Sequence, residues 1–289
     1  MSVRHETAED QSRLWNGPVA RGWVENQDLL DRVFRPLEAL LVDSISGSQT
    51  RVLDVGCGTG GTTLAAARQL GANGESIGID ISEPMIAVAR ARAEREAAPA
   101  RFICADAQEY AFEPASVDRI ISRFGVMFFA NPVRAFANLR RAAADEGAAR
   151  LIAWRSPAEN PFMTTAERAA RPLLPNLPDR RSDGPGQFAF ADPDRVAAIL
   201  RESGWTAIEI QPIDVPCTLP EAVLARYVTQ LGPVGRILQE ADDETRKRVI
   251  DAVRPAFDPY VKGTEVRFTA ACWLIAARST SADALKPGA

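Results

Sequence analysis

The first half of the chain alternates short apolar runs with longer stretches of helical periodicity. Five apolar runs predict buried strands, at 51–55, 76–80, 101–105, 117–122 and 149–154. Between them, apolar side chains recur at helical spacing over 62–70, 83–95 and 132–144. Strands that alternate with helices favour an α/β fold with a doubly wound, mostly parallel sheet and helices on both faces.

The stretches before and after this alternation predict helical additions and a long loop. Residues 28–45 form an amphipathic helix in this prediction, with a kink at Pro36. After Trp154, prolines interrupt the pattern, and we expect 155–191 to be a lid loop. The remaining predicted elements are a helix at 194–202, a strand at 206–211, a helical insertion at 219–257 and a strand at 265–277.

A glycine cluster separates the first predicted strand from the helix that follows it. Gly56, Gly58 and Gly60 would let the backbone approach a ligand without a clash from Cβ atoms. Asp80 ends the second predicted strand, twenty residues after Gly60, where a carboxylate can accept hydrogen bonds from both ribose hydroxyls. Together these features predict a site for a nucleotide-like ligand.

Two cofactor classes fit this glycine turn. Gly56, Gly58 and Gly61 satisfy the G-x-G-x-x-G pattern of dinucleotide-binding folds, so an NAD(P)-dependent oxidoreductase is one alternative. Against it, no tyrosine precedes a lysine by four positions, the pair used by short-chain dehydrogenases, and the one histidine is His5. Asp54 places a carboxylate inside the first strand, which suits an amine-bearing ligand.

The run Leu53-Asp54-Val55-Gly56-Cys57-Gly58-Thr59-Gly60 resembles the first motif of class I S-adenosylmethionine-dependent methyltransferases. The resemblance covers about 48–154 and is closest to the branch with the ubiquinone/menaquinone-biosynthesis methyltransferases, the methyltransferase type 11 domain. It implies a seven-stranded sheet whose last strand, here 265–277, is antiparallel. It also implies S-adenosyl-L-methionine as the cofactor and S-adenosyl-L-homocysteine as the product.

The resemblance divides the chain into five parts. They are an N-terminal helical cap segment (1–47), an S-adenosylmethionine-binding core (48–154), the lid loop (155–191), a C-terminal part of the core (192–278) that contains the helical insertion 219–257, and a flexible tail (279–289).

The same resemblance implies roles for individual residues. The methionine portion of the cofactor would meet Asp54 and the glycine turn, Asp80 would bind the ribose, and Asp106 with Ala107 would bind the adenine. Ile81 and Met85 would flank the adenine, and Trp15 or Trp23 would cover the methyl-donor site. Simpler roles stay open: a helix cap for Asp106, a core position for Met85 and a hydrophobic staple for the tryptophans. The full predicted cofactor set is Trp15, Trp23, Asp54, Gly56, Cys57, Gly58, Gly60, Asp80, Ile81, Met85, Asp106, Ala107 and Ser122.

The methyl acceptor is expected to be a small organic molecule. Arg123 and Arg155 follow the fourth and fifth strands at the carboxyl ends, where open α/β sheets bind ligands. They would position an anionic acceptor, with a carboxylate or phenol oxygen or a ring carbon as the attacking atom, and both could instead be solvated surface arginines. No catalytic base is identifiable, so a cofactor-binding protein without catalysis is a further alternative.

Composition narrows the class of partner. The net charge of −4 argues against a nucleic-acid binder, which needs a basic face, and no apolar run is long enough to span a bilayer. The four cysteines are dispersed, so no metal site is expected. The polar N-terminus lacks the apolar core of a secretory signal and favours a cytoplasmic location. A homodimer stays open.

Overall fold

The computed structural model describes residues 7–45, 50–180 and 184–280. The strands are β1 (Arg51–Val55), β2 (Glu75–Asp80), β3 (Ala100–Cys104), β4 (Val117–Arg123), β5 (Ala143–Trp154), β6 (Thr206–Pro220), β7 (Val261–Lys262) and β8 (Glu265–Ser279). The helices before β5 are α1 (Ala8–Trp15), α2 (Pro18–Glu25), α3 (Gln27–Val33), α4 (Arg35–Val42), α5 (Gly61–Leu70), α6 (Glu83–Glu96) and α7 (Pro132–Ala142). Those after it are α8 (Pro161–Ala170), α9 (Pro193–Glu202), α10 (Leu224–Gln230), α11 (Gly232–Leu238) and α12 (Asp243–Val253). Short 3-10 turns cover Gly71–Asn73, Val126–Phe128, Glu221–Val223 and Arg254–Tyr260.

All the strands belong to one sheet, in the order β3-β2-β1-β4-β5-β8-β6, with β7 paired to β8. Strands β1 to β5 pair in parallel, and β8 runs antiparallel to both β5 and β6. The predicted doubly wound sheet with an antiparallel last strand is confirmed. The strand order reverses between β1 and β4, so a crevice forms at their carboxyl ends, where such sheets bind ligands.

Helix starts follow from local capping. The Asn131 side chain accepts a hydrogen bond from the Arg134 amide at the start of α7. Pro132 takes the first helical position, where a backbone N–H would have no partner within the helix and its absence costs nothing. Asp192 caps α9 in the same way. These signals explain why the predicted starts of both helices lie within one residue of the observed ones.

The predicted helix 28–45 is two helices, α3 and α4, which meet at Phe34. Pro36 has no amide hydrogen, and its ring would clash with the carbonyl one turn earlier, so a continuous helix is impossible there. The apolar faces of both helices are buried. The periodicity therefore predicted the buried face correctly, while the kink is a complete break.

Other boundaries also differ from the sequence prediction, and β5 begins at Ala143 rather than at 149. The segment 155–191 contains α8, because Pro161 begins this helix rather than interrupting one. Strand β6 continues through Pro212 and Pro216 to Pro220, well beyond the predicted end at 211. Proline is tolerated in β6 because this strand lies at the edge of the sheet. Of the predicted tail, residues 281–289 lie outside the described residues.

The loops that follow β1 and β4 cross in direct contact. A Cβ atom on Gly56, whose φ is +67°, would lie 2.5 Å from the Gly125 Cα. A Cβ atom on Gly125 would lie 2.5 Å from the Val55 carbonyl oxygen. Ser122 fixes this crossing, since its Oγ donates to the Val55 carbonyl at 2.7 Å and accepts from the Gly125 amide at 3.2 Å.

Within the described residues, no helix is long and apolar enough to cross a membrane.

We expect Gly125→Ala to lower the free energy of unfolding by about 1–3 kcal/mol, because the added methyl group meets backbone that cannot move aside. Gly125 has a φ of −77°, which any residue can adopt, so the effect is steric. Gly186→Ala is the control, since a methyl group added there would have no neighbouring atom within 4 Å. Urea denaturation measures both variants, and equal stabilities would contradict the close crossing.

Candidate active site

A cavity of about 530 Å³ opens at the carboxyl ends of β1, β2 and β4. Its volume is typical of a small-molecule site. The loops after these strands and after β3 contribute Gly56, Gly58, Asp80, Ile81, Met85, Asp106, Ala107, Arg123 and Gly125 to its lining. Helices α1, α2, α8, α10 and α11 and residues 178–180 and 185–188 supply most of the remaining lining.

Asp80 lies at the end of β2 and joins two loops at the cavity. One carboxylate oxygen accepts from the Gly58 amide at 2.8 Å, and the other accepts from the Ser82 amide at 2.9 Å. Burial raises the pKa of Asp80, and these two backbone bonds act in the opposite direction. Each oxygen keeps a lone pair, so the carboxylate can still accept hydrogen bonds from a ligand in the cavity.

The backbone at Gly58 forms a cradle against Met85. Gly58 has a φ of +54°, and a Cβ atom there would approach the Met85 sulfur to 3.5 Å. A side chain at this position would therefore fill the space between the glycine turn and α6. Ile81 and Met85 line the same space, as the sequence predicts.

Asp106 and Ala107 also line the cavity. Asp106 accepts from the Gln108 amide at 2.8 Å, so it caps the turn after β3 and faces the cavity at the same time. Burial raises its pKa. The two roles that the sequence left open for Asp106, a cap and a ligand contact, are geometrically compatible.

Four predicted cofactor residues do not line the cavity. The Asp54 side chain is 1% exposed and accepts from the Thr63 hydroxyl of α5 at 2.7 Å. Because side chains alternate along a strand, Asp54 points away from the cavity that its neighbour Val55 lines. The Asp54 carboxyl therefore anchors α5 to β1, and its contact with the cofactor's amino group stays a prediction.

The cavity lining also lacks three other predicted cofactor residues, Cys57, Gly60 and Ser122. The Cys57 side chain belongs to a buried cluster with Leu64 and Phe102. A Cβ atom on Gly60 would lie 2.9 Å from both the Ala89 Cβ and the Phe102 ring, so a glycine here allows close packing, and a backbone contact with the cofactor stays a prediction. Both hydrogen bonds that the Ser122 hydroxyl makes belong to the loop crossing described above. All three support the loop conformation from behind.

Both predicted tryptophans line the cavity. Trp15 packs edge-on against Phe128 at 4.8 Å and against Trp23 at 6.2 Å. Asn16 holds this cap to the core, since its side chain donates to the Ile81 carbonyl at 3.1 Å and accepts from the Glu83 amide at 2.9 Å. The N-terminal aromatics therefore meet the cavity directly beside the Asp80 turn.

The two candidate arginines have different surroundings. Arg123 lines the cavity, lies over the Phe34 ring at 5.9 Å, and makes one long hydrogen bond, 3.4 Å, to the Phe34 carbonyl. Arg155 is absent from the lining and pairs with Glu159 and with Asp214, the latter at 2.9 Å. Because β5 ends beside β8 and β6, the neighbouring carboxylates engage Arg155, and its role in positioning the acceptor stays a prediction.

Polar residues that the sequence did not single out also line the cavity. Glu167, Arg180, Gln187 and Tyr227 belong to α8, the segment after it and α10. No motif spacing connects them, and the one signal was the prediction of a lid over 155–191. Across the described residues, no group of three or more His, Cys, Asp or Glu side chains forms a metal site.

Comparison with known proteins identifies the class. A family profile described as a methyltransferase domain matches residues 52–147. The demethylmenaquinone methyltransferase of Thermus thermophilus is 27% identical, over 54% of this chain and 74% of that protein. Aklanonic acid methyltransferase DauC of Streptomyces sp. strain C5 is 34% identical, over 44% of this chain and 60% of that protein.

The solved structures agree in fold. Phosphoethanolamine N-methyltransferase 2 of Haemonchus contortus, solved with S-adenosyl-L-methionine, aligns with a TM-score of 0.58 at 17% identity, over 92% of this chain and 60% of that chain. The match of residues 52–147 to a methyltransferase domain and the named relatives support a class I S-adenosylmethionine-dependent methyltransferase with S-adenosyl-L-methionine as its cofactor, and the solved structure agrees with this in fold. The alternative of an NAD(P)-dependent oxidoreductase is therefore rejected.

We expect Asp80→Ala to weaken binding of S-adenosylhomocysteine by about 1–3 kcal/mol, because ligand hydroxyls and the Gly58 amide would lose their acceptor. Calorimetry measures the affinity. Asp118→Ala is the control, since Asp118 also accepts from a backbone amide, that of Arg51 at 2.8 Å, but at the opposite end of β1. Equal affinities of the Asp80 variant and the unmodified protein would contradict the ribose assignment.

Asp54 makes stability depend on pH. Burial raises its pKa from 3.8 to about 7, so between these values the folded chain keeps a proton that the unfolded chain releases. The stability contributed by protonated Asp54 is present below about pH 4 and is lost as the pH rises through about 7. We expect Asp54→Asn to remove this decline, on the order of a few kcal/mol, because asparagine stays neutral and can accept from Thr63.

Melting curves from pH 4 to pH 8 without cofactor measure this effect. Asp118→Asn is the control: the hydrogen bond from Arg51 lowers the Asp118 pKa, so its carboxylate stabilises the fold throughout this pH range, and its loss should lower stability without removing the decline. Parallel pH profiles for the unmodified protein and the Asp54 variant would show that Asp54 is not protonated in the fold.

Proposed function

We propose that the chain transfers a methyl group to a small, largely apolar acceptor whose attacking atom is an ionised phenol or enol oxygen or the adjacent ring carbon. The observation that carries this proposal is that the Asp80 and Gly58 cradle, an aromatic wall and Arg123 line one and the same cavity. A cofactor and an acceptor in this cavity would therefore meet directly.

The cradle fits S-adenosyl-L-methionine by its chemistry. Asp80 offers acceptors for ribose hydroxyls, Asp106 and Ala107 offer an acceptor and an amide for a nucleobase, and Gly58 leaves room beside Met85. When bound, the cofactor supplies an electrophilic methyl group and leaves as S-adenosyl-L-homocysteine. The chain's own contribution is to orient the two reactants and to exclude water.

The aromatic wall suits an acceptor with a large apolar surface. The lining includes the rings of Trp15, Trp23, Phe34, Phe124, Phe128, Phe129, Trp154, Phe162, Phe188, Tyr227 and Phe257. The names of two relatives, acting on demethylmenaquinone and aklanonic acid, support a small organic acceptor. We assign the cover of this space to the cap, the 155–191 segment and the helical insertion, which all contribute lining residues.

The proton of the acceptor does not need an enzyme base in this proposal. Among the described lining residues there is no histidine, and Glu167 is already paired with Arg180. Arg123 presents a positive charge to the cavity, which favours the ionised form of an acidic hydroxyl. A phenolate or enolate also carries charge on carbon, so the same arrangement serves transfer to oxygen or to a ring carbon.

We expect Arg123→Ala to lower kcat/KM at least tenfold, about 1.4 kcal/mol of transition-state stabilisation, while S-adenosylmethionine affinity is nearly unchanged. Initial rates with a panel of phenols measure this, and the pH–rate profile should follow the pKa of each phenol. Arg155→Gln is the matched control, since Arg155 does not line the cavity. Equal rate losses in both variants, or a profile independent of the phenol, would contradict the role of Arg123.

A further inference from the structure

A second polar cluster lines the cavity, formed by Glu167, Arg180, Gln187 and Tyr227. Glu167 is 6% exposed and forms a two-pronged ion pair with Arg180, in which Nε donates to Oε2 at 2.8 Å and Nη2 donates to Oε1. The Arg180 Nη1 donates to the Gln187 side-chain oxygen at 3.0 Å. The guanidinium also lies 4.7 Å over the Phe188 ring. Contacts with Glu167, Gln187 and Phe188 therefore fix the position of the Arg180 guanidinium.

The cluster is electrically neutral but rich in hydrogen-bond donors. The carboxylate of Glu167 cancels the charge of Arg180. Because the Gln187 oxygen accepts from Arg180, its amide nitrogen has two hydrogens left for a partner in the cavity. Donation from Arg180 thus fixes the orientation of the Gln187 amide.

Tyr227 adds a donor next to this pair. Its hydroxyl contacts the Met163 sulfur at 3.8 Å, and sulfur is a weak acceptor. The Met163 carbonyl accepts a hydrogen bond from Arg180 at 3.4 Å. Tyr227 and Arg180 therefore both contact Met163, Tyr227 at the sulfur and Arg180 at the backbone carbonyl. Burial raises the pKa of the Tyr227 phenol, so it keeps its proton at neutral pH.

We propose that this cluster binds a ketone oxygen of the methyl acceptor, which makes the acceptor an apolar hydroxy ketone. This inference rests on the proposed function, because it adds a second contact point for the same acceptor. A ketone oxygen accepts hydrogen bonds and donates none, as a donor-rich neutral cluster requires. A carboxylate at this point would face the Glu167 carboxylate, whose charge Arg180 already satisfies. Arg180 and Glu167 act as positioning residues, and Gln187 and Tyr227 make the contact.

A matched pair of probes tests the contact. 2-Hydroxy-9-fluorenone and 2-hydroxyfluorene share a ring system and a hydroxyl group and differ in the ketone oxygen. With saturating S-adenosylhomocysteine, calorimetry on the full chain should show the ketone binding about tenfold more tightly, as one to two additional neutral hydrogen bonds imply. Tyr227→Phe and Gln187→Leu should each remove most of this preference, measured as the ratio of the two probes' affinities in the same variant.

Tyr260→Phe is the matched control. Both tyrosines pack against Phe162, Tyr260 at 5.1 Å and Tyr227 at 5.9 Å, but Tyr260 does not line the cavity. It should keep the preference for the ketone. Melting temperatures of all three variants show whether a loss of preference reflects a loss of folding.

The outcomes separate this inference from the proposed function. Equal binding of the two probes, or a preference that survives in Tyr227→Phe and Gln187→Leu together, would overturn the ketone contact and leave the proposed function standing. Failure of both probes to bind, with no methyl transfer to either, would overturn both. Tenfold selectivity that is lost in both variants and kept in Tyr260→Phe would establish the contact.

Discussion

The carboxylate of Asp80 is the constraint on which the cavity depends. It accepts hydrogen bonds from the backbone amides of Gly58 and Ser82, and these bonds connect the glycine turn after β1 to the beginning of α6. The neighbours of Asp80 hold the N-terminal cap, because Ile81 and Glu83 bind the Asn16 side chain. One turn therefore sets the positions of the glycine cradle, the Ile81 and Met85 side of the cavity and the tryptophans that line it.

Three carboxyl groups determine the charge of this region: Asp54 is buried, and Asp80 and Asp106 are half-buried. Asp80 and Asp106 line the cavity, Asp54 lies directly behind it, and burial raises the pKa of all three. Desolvation of this kind is relieved by a nearby positive charge. A sulfonium cofactor carries such a charge, so its binding is expected to offset part of the cost of burying these groups. The loop is stable without it because backbone amides and the Thr63 hydroxyl already satisfy the carboxyl oxygens.

The N-terminal cap and the helical insertion are joined to each other as well as to the core. The Asn26 side chain donates to the Gln230 side-chain oxygen at 2.8 Å, and Arg226 donates to the Glu25 carbonyl. Gly22 allows this approach, since a Cβ atom there would lie 2.3 Å from the Gln230 carbonyl oxygen. The N-terminal cap and the helical insertion therefore form one connected layer, held by contacts between segments about 200 positions apart in the chain.

The sequence alone determined the fold and the location of the cofactor site. Periodicity of 2 and 3.6 residues, helix caps and the glycine turn are local signals, so they predicted the parallel sheet, Asp80, Asp106 and the tryptophans at the cavity. Local patterns do not report which way a side chain faces within a crowded loop, and for that reason the sequence did not show that Asp54, Cys57, Gly60 and Ser122 lie outside the cavity lining. Tertiary structure alone decided the acceptor side. Arg155 is engaged by Asp214, which lies on a strand 59 positions later, and Tyr227 meets Arg180 through Met163. Such juxtapositions arise from packing between distant segments, which no spacing in the sequence encodes.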